Sequence, residues 1–292
     1  MREIVILSGK GGTGKTSVAG SLALVAGKTA VIADCDVDAA DLHLILKPER
    51  VKEEDFYSGY IAEIDFQKCS NCGRCLEVCR FGAVQKKKDQ YYIDPVKCEG
   101  CGYCSYICPR GSIGMSEQKV GKLYHSHIRT GSLMIHASLG IGADNSGKLV
   151  ARVKKDAQTT AEQNGYKYII VDGSPGIGCP VISSLSGADF VLLITEPTRS
   201  ALHDLKRVWE LSQRFHLPAG CIINKADLNA EIRAEIEVFL QRNKILHLAS
   251  LPYDNDFQRA ITEGVSLVEY NSSKWSSCFQ AIWQELSQTK EN

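Results

Sequence analysis

Apolar residues form short runs along most of the chain, and polar, helix-forming stretches separate these runs. The first run, Ile4–Leu7, is followed by a glycine-rich loop and by a predicted helix over 15–27. The second run lies within 29–36 and ends in acidic residues. Runs without alternation are typical of strands buried on both faces, and strands that alternate with helices favour a parallel sheet. The pattern therefore predicts an α/β fold.

The same alternation continues in the later part of the chain. Apolar runs predict further strands at 168–173, 190–195, 220–225 and 245–250. Helical periodicity predicts helices over Arg199–Arg214 and Ala230–Asn243. A last helix carries Trp275, Phe279, Ile282, Trp283 and Leu286 on one face. Because its charges are mixed, we expect this face to pack on the core rather than on a membrane.

Between about Pro48 and Glu117 the alternation stops, and we expect only short elements there. This segment contains an internal repeat, in which Cys69, Cys72, Cys75 and Cys79 recur 29 residues later as Cys98, Cys101, Cys104 and Cys108. A repeat this small buries little core, so bound metal is expected to stabilise it. The sequence predicts an inserted domain at 60–117, within a larger domain formed by 1–48 and 118–292.

Composition narrows the class of protein. Basic and acidic residues number 34 each, which argues against direct binding of nucleic acid or anionic membranes. No stretch approaches the roughly 20 apolar residues that cross a bilayer, and the N-terminus lacks a signal-peptide pattern. We therefore expect a cytoplasmic protein. Eight of the twelve cysteines lie within 69–108, and this crowding indicates metal binding rather than disulfides.

The loop after the first strand carries a phosphate-binding motif. Residues 9–16, GKGGTGKT, fit the pattern G-x-x-x-x-G-K-[ST] between a strand and a helix. In such loops backbone N–H groups bind phosphate oxygens, the lysine contacts the β- and γ-phosphates, and the hydroxyl holds Mg²⁺. Lys15 and Thr16 are predicted for the last two roles. The predicted nucleotide-binding residues of the loop are Gly11, Gly12, Thr13, Gly14, Lys15, Thr16 and Ser17.

A second lysine, Lys10, lies inside this loop. The stretch SGKGGTGKT resembles the deviant phosphate loop of the MinD/Mrp/ParA class of P-loop ATPases, which includes the nitrogenase iron protein. The resemblance implies that Lys10 crosses the interface of an ATP-bound dimer and contacts the partner's phosphates, as an arginine finger does in trans. It also implies that ATP binding forms this dimer, either a homodimer or a heterodimer with a related ATPase.

Two acidic segments resemble the switches of the same family. VIADCDVDAADLHL matches the first switch and implies that Asp36 positions the attacking water. IIVDGSPGIG matches the Walker B strand and the second switch, which implies Asp172 near Mg²⁺ and the Gly176 N–H at the γ-phosphate. The resemblance thus assigns catalysis to Lys10, Lys15 and Asp36, and Mg²⁺ to Thr16, Asp36 and Asp172.

The base-binding residues also come from the resemblance. It implies that Asn224 in INKADL contacts adenine and that the backbone near Pro252 and Tyr253 packs around the base. However, Asn224 also begins an N-K-x-D sequence that ends at Asp227, and this sequence reads guanine in GTPases. The whole motif set favours ATP, and GTP stays open as the alternative.

The cysteine spacing C-x₂-C-x₂-C-x₃-C, present twice, is that of bacterial ferredoxins with two [4Fe–4S] clusters. In that arrangement the fourth ligand of each cluster comes from the other repeat. The predicted sets are Cys69, Cys72, Cys75 and Cys108 for one cluster, and Cys79, Cys98, Cys101 and Cys104 for the other. Paired C-x₂-C also forms zinc sites, but the triple spacing and Pro109 favour iron–sulfur. Arg80 departs from the pattern, since proline usually follows the fourth cysteine.

These features predict a parallel-sheet P-loop ATPase domain with a small inserted α+β ferredoxin-like domain, and with ATP, Mg²⁺ and two [4Fe–4S] clusters as cofactors. The first hypothesis is that ATP-dependent dimerisation controls electron transfer to a redox partner protein. One alternative is an iron–sulfur carrier or scaffold of Mrp type, although the C-x-x-C pair of those proteins is absent here. The other alternative is a ParA/MinD-like positioning or regulatory ATPase with redox-sensing clusters.

Overall fold

A computed structural model describes residues 1–140 and 145–288 of the chain. Two compact units are present: Met1–Glu54, Lys122–Ser138 and Ser146–Asn292 form the first, and Asp55–Gly121 and Leu139–Asn145 form the second. The predicted insert, 60–117, is shorter than the second unit at both ends, because long strands extend beyond the cysteine repeats. The predicted ATPase range 118–292 includes 141–144 and 289–292, which lie outside the described residues.

The strands follow the apolar runs. They are β1 (Arg2–Ser8), β2 (Ala30–Cys35), β3 (Glu49–Ile64), β4 (Val84–Lys87), β5 (Gln90–Ile93), β6 (Ile113–His127), β7 (Leu133–Leu139), β8 (Tyr168–Gly173), β9 (Phe190–Thr195), β10 (Ala219–Ile223) and β11 (Leu246–Ser250). The large sheet has the order β11-β10-β9-β1-β8-β2-β7-β6-β3, and β4 pairs with β5 in an antiparallel ribbon. All pairings from β11 to β7 are parallel. The predicted parallel sheet and its six predicted strands are confirmed.

The helices connect the strands of this sheet, follow its last strand or lie in the second unit. They are α1 (Lys15–Ala26), α2 (Leu42–Leu46), α3 (Arg74–Val78), α4 (Tyr103–Tyr106), α5 (Ser146–Asn164), α6 (Cys179–Leu185), α7 (Arg199–Gln213), α8 (Ala230–Arg242), α9 (Asp256–Glu263), α10 (Leu267–Tyr270) and α11 (Ser272–Gln288). The three helices predicted at 15–27, 199–214 and 230–243 correspond to α1, α7 and α8. In α11, Trp275, Phe279, Ile282 and Leu286 are buried in the core, as predicted.

The expectation of only short elements between Pro48 and Glu117 is wrong for β3. This strand has 16 residues, but most of them are exposed. Its sequence therefore contains no continuous apolar run that would predict a strand. The sheet instead buries its apolar residues in β1, β2, β8, β9 and β10. Among the described residues, no helix is long and apolar enough to cross a membrane.

Candidate functional site

The predicted phosphate loop lies at the carboxyl edge of the large sheet, where β1, β2 and β8 end side by side. Ile6 and Asp34 both pair with Asp172, so the three strand ends are in register. The chain leaves β1 at Ser8 and enters α1 at Lys15. The unpaired N–H groups at the N-terminus of α1 therefore lie at this edge, where they can bind an anion.

A buried amide braces the loop. Gly14 has a φ of 94°, and a Cβ there would lie 2.4 Å from Nδ2 of Asn224. Nδ2 of Asn224 donates to the carbonyl oxygen of Thr13 at 2.8 Å, and Oδ1 accepts from the N–H of Lys225 at 2.9 Å. Glycine is required at position 14 for both reasons. Asn224 supports the loop here, and its contact with adenine stays a prediction.

Lys15 is buried at the ends of β2 and β8. Its Nζ lies 2.7 Å from Oδ1 of Asp172 and 3.3 Å from Oδ2 of Asp36. Burial by itself lowers the pKa of Lys15, but the two carboxylates outweigh burial and raise this pKa above its ordinary value. The ammonium group therefore stays charged, and phosphate oxygens can take the place of the carboxylates that now contact it.

The carboxylates at the strand ends offer ligands for a hard cation. The N–H of Asp36 donates to Oδ1 of Asp34 at 3.1 Å, and burial raises the pKa of both carboxyl groups. Within the described part of the chain, Oδ2 of Asp34 and Oδ2 of Asp172 are buried without a hydrogen-bond partner. Thr16 and Asp36 line one cavity. Carboxylate and hydroxyl oxygens suit Mg²⁺, so the predicted set of Thr16, Asp36 and Asp172 fits this ion.

Lys10 points to a carboxylate of its own chain. Its Nζ lies 2.8 Å from Oε1 of Glu196, and Ser200 and Thr198 accept from it at 3.2 and 3.4 Å. Oε2 of Glu196 lies 2.7 Å from Nζ of Lys225. Burial by itself raises the pKa of Glu196, but the hydrogen bonds from the two lysines outweigh it and hold this pKa below its ordinary value. The role of Lys10 across a dimer stays a prediction.

A cavity of about 460 Å³ opens beside the loop, within the size range of small-molecule sites. Its polar lining includes the predicted residues Gly11, Gly12, Gly14, Lys15, Thr16, Ser17, Asp36 and Asn224, and also Ser8, Asp41, Lys225, Asp254, Asn255 and Gln258. Its apolar lining includes Leu44 and Ile45 of α2, and Phe257 and Ile261 of α9. Sequence analysis missed these four residues. The spacing of Phe257 and Ile261, which places them on one face of a helix, was the available signal.

Three predicted positions are arranged differently. The N–H of Gly176 donates to the carbonyl oxygen of Ser8 at 3.0 Å, so in this conformation it is not available to a γ-phosphate. Tyr253 lines the cavity, but Pro252 does not. Asp227, the last residue of N-K-x-D, is also outside the lining, and its Oδ1 accepts from the N–H of Tyr253 at 2.6 Å. Asp227 thus fixes a loop, and the choice between ATP and GTP stays a prediction.

This loop, switch and cavity match a known family. The matching family is described as the CobQ/CobB/MinD/ParA nucleotide binding domain (CbiA), and the match covers residues 4–268. The chain belongs to this family. The MinD/ParA proteins of this family are P-loop ATPases, so nucleotide binding and ATPase activity in general follow for the chain, in agreement with the phosphate loop.

The chain is also similar to a curated relative over nearly its whole length, and its fold is similar to those of solved structures. "Uncharacterized protein MJ0578" of Methanocaldococcus jannaschii is 34% identical over 288 residues, which are 98% of this chain and 96% of that protein. The fold is similar to that of MinD with Mg-ADP from Pyrococcus horikoshii OT3, at 20% identity, a TM-score of 0.60 and coverage of 98% and 96%. McdA(D38A) with ATP from Cyanothece gives 16% identity, a TM-score of 0.59 and coverage of 100% and 98%. None of these names describes an iron–sulfur protein, so the ferredoxin-type insert stays a prediction.

The repeat cysteines of this MinD/ParA-family protein gather around two cavities in its second unit. Cys69, Cys72, Cys75 and Cys108 line one cavity, called here the first cysteine site. Cys79, Cys98, Cys101 and Cys104 line the other, called here the second cysteine site. Each site takes three cysteines from one repeat and one from the other, as in two-cluster ferredoxins.

Each cysteine site offers four thiolates as ligands. Across residues 1–140 and 145–288, no three His, Cys, Asp or Glu side chains converge closely enough to hold a metal ion. Zinc would need four sulfurs about 2.3 Å from one centre. A [4Fe–4S] cluster binds each thiolate through a different iron, so its ligand sulfurs lie farther apart. Four thiolates at each site, three of them from one C-x₂-C-x₂-C run, suit such a cluster in their chemistry, and the bound group stays a prediction.

Proposed function

We propose that this MinD/ParA-family protein is a regulatory or positioning ATPase, switched by nucleotide, whose second unit holds two [4Fe–4S] clusters. The buried Lys15, held between Asp36 and Asp172 beside an open cavity, carries the ATPase part of this proposal. The lining of each cysteine site by four cysteines carries the cluster part. The clusters would let the ATPase respond to redox state.

Each residue of the nucleotide site would have a distinct role in hydrolysis. Lys15 and the loop N–H groups would bind the β- and γ-phosphates, and Asp36 would orient the attacking water. Thr16, Asp36 and Asp172 would hold Mg²⁺, which neutralises phosphate charge when bound. Lys10 would leave Glu196 and reach the phosphates of a second subunit. This exchange would make hydrolysis depend on an ATP-bound homodimer or heterodimer.

Similar structures support a regulatory or positioning role. They include MinD, McdA and a MinC:MinD cell division complex from Aquifex aeolicus, the last at 17% identity with a TM-score of 0.56 and coverage of 100% and 98%. In that complex a second protein binds MinD. By analogy, a partner protein would read the nucleotide state of this chain through its dimer.

The test uses the full chain, purified anaerobically. We expect hydrolysis of ATP in preference to GTP, and a shift from monomer to dimer in light scattering with a non-hydrolysable ATP analogue. Lys10→Ala should keep binding of the analogue, because Lys15 and the loop N–H groups remain, but lose the dimer, because the contact with the partner's phosphates is removed. Preference for GTP, or a Lys10→Ala variant that still dimerises with the analogue, would contradict the proposal.

A second candidate, electron transfer controlled by ATP, is favoured by the presence of two cysteine sites in one small unit. Adjacent clusters are typical of proteins that pass electrons to a redox partner. The reduced protein would be mixed with a one-electron dye acceptor, with and without ATP, and dye reduction followed by absorbance. A rate that does not change with ATP refutes the coupling. Transfer of intact clusters to an apo-ferredoxin would instead support the carrier alternative.

A further inference from the structure

The internal repeat allows the two cysteine sites to be compared position by position. Each residue of the first repeat has a counterpart 29 residues later, and the lining residues of the two sites correspond in this way. The first cysteine site is lined by Tyr91 and Ser112, whereas the second is lined by their counterparts Ala62 and Ala83. The two sites therefore use corresponding positions of the chain but differ in the chemistry of the side chains there.

The main difference is one hydroxyl group. Ser112 is 3% exposed, and its Oγ lies 3.1 Å from Sγ of Cys108. A cluster-bound cysteine is a thiolate without a proton, so the hydroxyl must donate this hydrogen bond. At the second site Ala83 is 2% exposed, and its methyl group cannot donate to Cys79.

Backbone donors are present at both sites. The N–H of Ser112 donates to the Cys108 sulfur at 3.4 Å. Burial by itself raises the pKa of the Cys79 thiol, but hydrogen bonds from backbone N–H groups, among them that of Ala83, outweigh burial and lower this pKa. The loops therefore offer backbone donors at both sites. The hydroxyl of Ser112 is an addition at the first site only.

The linings of the two sites also differ at other positions. The hydroxyl of Tyr91 lies 2.9 Å from where a Cβ on Gly73 would be, whereas nothing lies within 4 Å of that point at Gly102, the counterpart of Gly73. The first site is also lined by Arg74, whose counterpart at the second site is Tyr103, and the second by Glu99, whose counterpart at the first site is Ser70. These two charged side chains are exposed, so salt screens them and their effect is smaller than that of the buried hydroxyl.

We propose that the two cysteine sites are electronically unequal, and that an electron resides preferentially at the first cysteine site. This inference rests on the cluster part of the proposed function. Hydrogen bonds to cluster sulfurs are one of the terms that set reduction potential, and an added donor stabilises the more negative, reduced form. One electron from an external donor would settle at the first site, leaving the second oxidised, with no bond or proton change.

Reciprocal substitutions test this inference. The full chain is reconstituted anaerobically with ferrous iron and sulfide, and titrated with dithionite while EPR follows each cluster. The wild type should show two separate midpoint potentials. Ser112→Ala should lower only the higher midpoint, and Ala83→Ser should raise only the lower one. We expect each change to be about tenfold in the electron distribution, or about 59 mV.

Controls separate failure of this inference from failure of the proposed function. Iron content must match two full clusters in each variant, and Ser112→Thr, which keeps the hydroxyl, should retain the wild-type midpoints. Coincident midpoints in the wild type, or midpoints unmoved in both variants, would overturn the inequality but leave the clusters. A wild-type chain that assembles no iron–sulfur cluster overturns the proposed function and this inference together. If Ser112→Ala does not assemble, Ala83→Ser decides.

Discussion

The two units hold their functional side chains in place by different means. In the first unit, Lys15, Asp36 and Asp172 are buried and contact one another at the ends of strands in the core. In the second unit, the repeat cysteines are exposed or half-buried. The buried apolar residues within 55–121 are few and mostly small: Ala62, Ala83, Val84, Tyr91, Ile113 and Val120.

The difference teaches which site exists before its ligand binds. At the nucleotide site, the carboxylates of Asp36 and Asp172 occupy the place of phosphate beside Lys15, and the hydrophobic sheet supports them. The protein therefore holds the geometry of this site without a ligand. The second unit exposes large apolar side chains, among them Phe66, Phe81, Tyr103 and Tyr106, and buries too little to offset the entropy of ordering its loops. We infer that its bound group supplies the missing stability.

The largest expected effect is that of iron removal. Anaerobic chelation of iron should unfold most of 55–121, because the cysteines would then have no shared ligand to hold the loops. Amide hydrogen exchange would show loss of protection in that segment. Exchange in β1, β8 and β9, measured in the same sample, should change little and serves as the internal control. An iron-free chain in which 55–121 keeps its protection would remove the contrast between the units.

Lys15→Ala should have the next largest effect, and it tests the nucleotide site of the first unit. The substitution leaves Asp36 and Asp172 buried without their cation, which costs about 3–5 kcal/mol when a buried ion pair is broken. Urea denaturation followed by tryptophan fluorescence would measure this loss, and nucleotide binding should be abolished.

Lys225→Ala is the matched control for Lys15→Ala. Lys225 also pairs with a carboxylate, but 28% of its side chain is exposed, so its removal should cost about 1 kcal/mol or less. Equal losses of stability in the two variants would mean that the nucleotide site is not prebuilt by buried charges.

Most of the first unit could be predicted because continuous apolar runs and a glycine-rich motif are local signals. Ile4–Leu7 and 168–173 are buried on both faces, so their position in a parallel sheet follows from their composition. The strand β3 could not be predicted, because its exposed sequence of mixed polarity has neither an apolar run nor strict alternation. This strand depends on pairing at the edge of the sheet, and such pairing joins residues that are far apart in the sequence.

The candidate site was predictable to different degrees for the same reason. Lys15, Thr16 and Asp172 belong to motifs that fix both residue type and position. Leu44 and Ile261 are ordinary apolar residues, and only the folded chain brings α2 and α9 to one cavity. The engagement of Gly176 with Ser8 likewise depends on conformation, which no motif specifies.

Asn224→Ala should cause an intermediate effect, because it removes the brace of the phosphate loop. The carbonyl of Thr13 and the N–H of Lys225 would lose their partners, and leaving buried polar groups unpaired costs about 1–3 kcal/mol. Nucleotide affinity should fall along with stability. Asn229→Ala is the control: it removes the side chain that caps α8 by accepting from Ile232 at 2.9 Å. A similar loss of stability is expected there, with nucleotide affinity unchanged.

The smallest expected effect concerns the ion pair between Glu196 and Lys10, whose contribution to stability should depend on pH. Because the pKa of Glu196 is lower in the folded chain than in the unfolded chain, the unfolded chain takes up the proton first as pH falls. The stabilisation by this carboxylate is therefore complete above the ordinary glutamate pKa of about 4.3. It is lost as pH falls through the lower pKa of the folded chain.

Glu196→Gln should remove this dependence. At neutral pH the variant should be less stable by about 0.5–1 kcal/mol, since Lys10 and Lys225 are both partly exposed. In acid the difference from the wild type should shrink toward zero, as urea midpoints over a pH series would show. Glu235→Gln, which removes a more exposed pair with Arg199, is the control and should change stability less. A constant difference at all pH values would mean that the carboxylate charge of Glu196 does not hold Lys10, and that the nucleotide site keeps this lysine in place by other contacts.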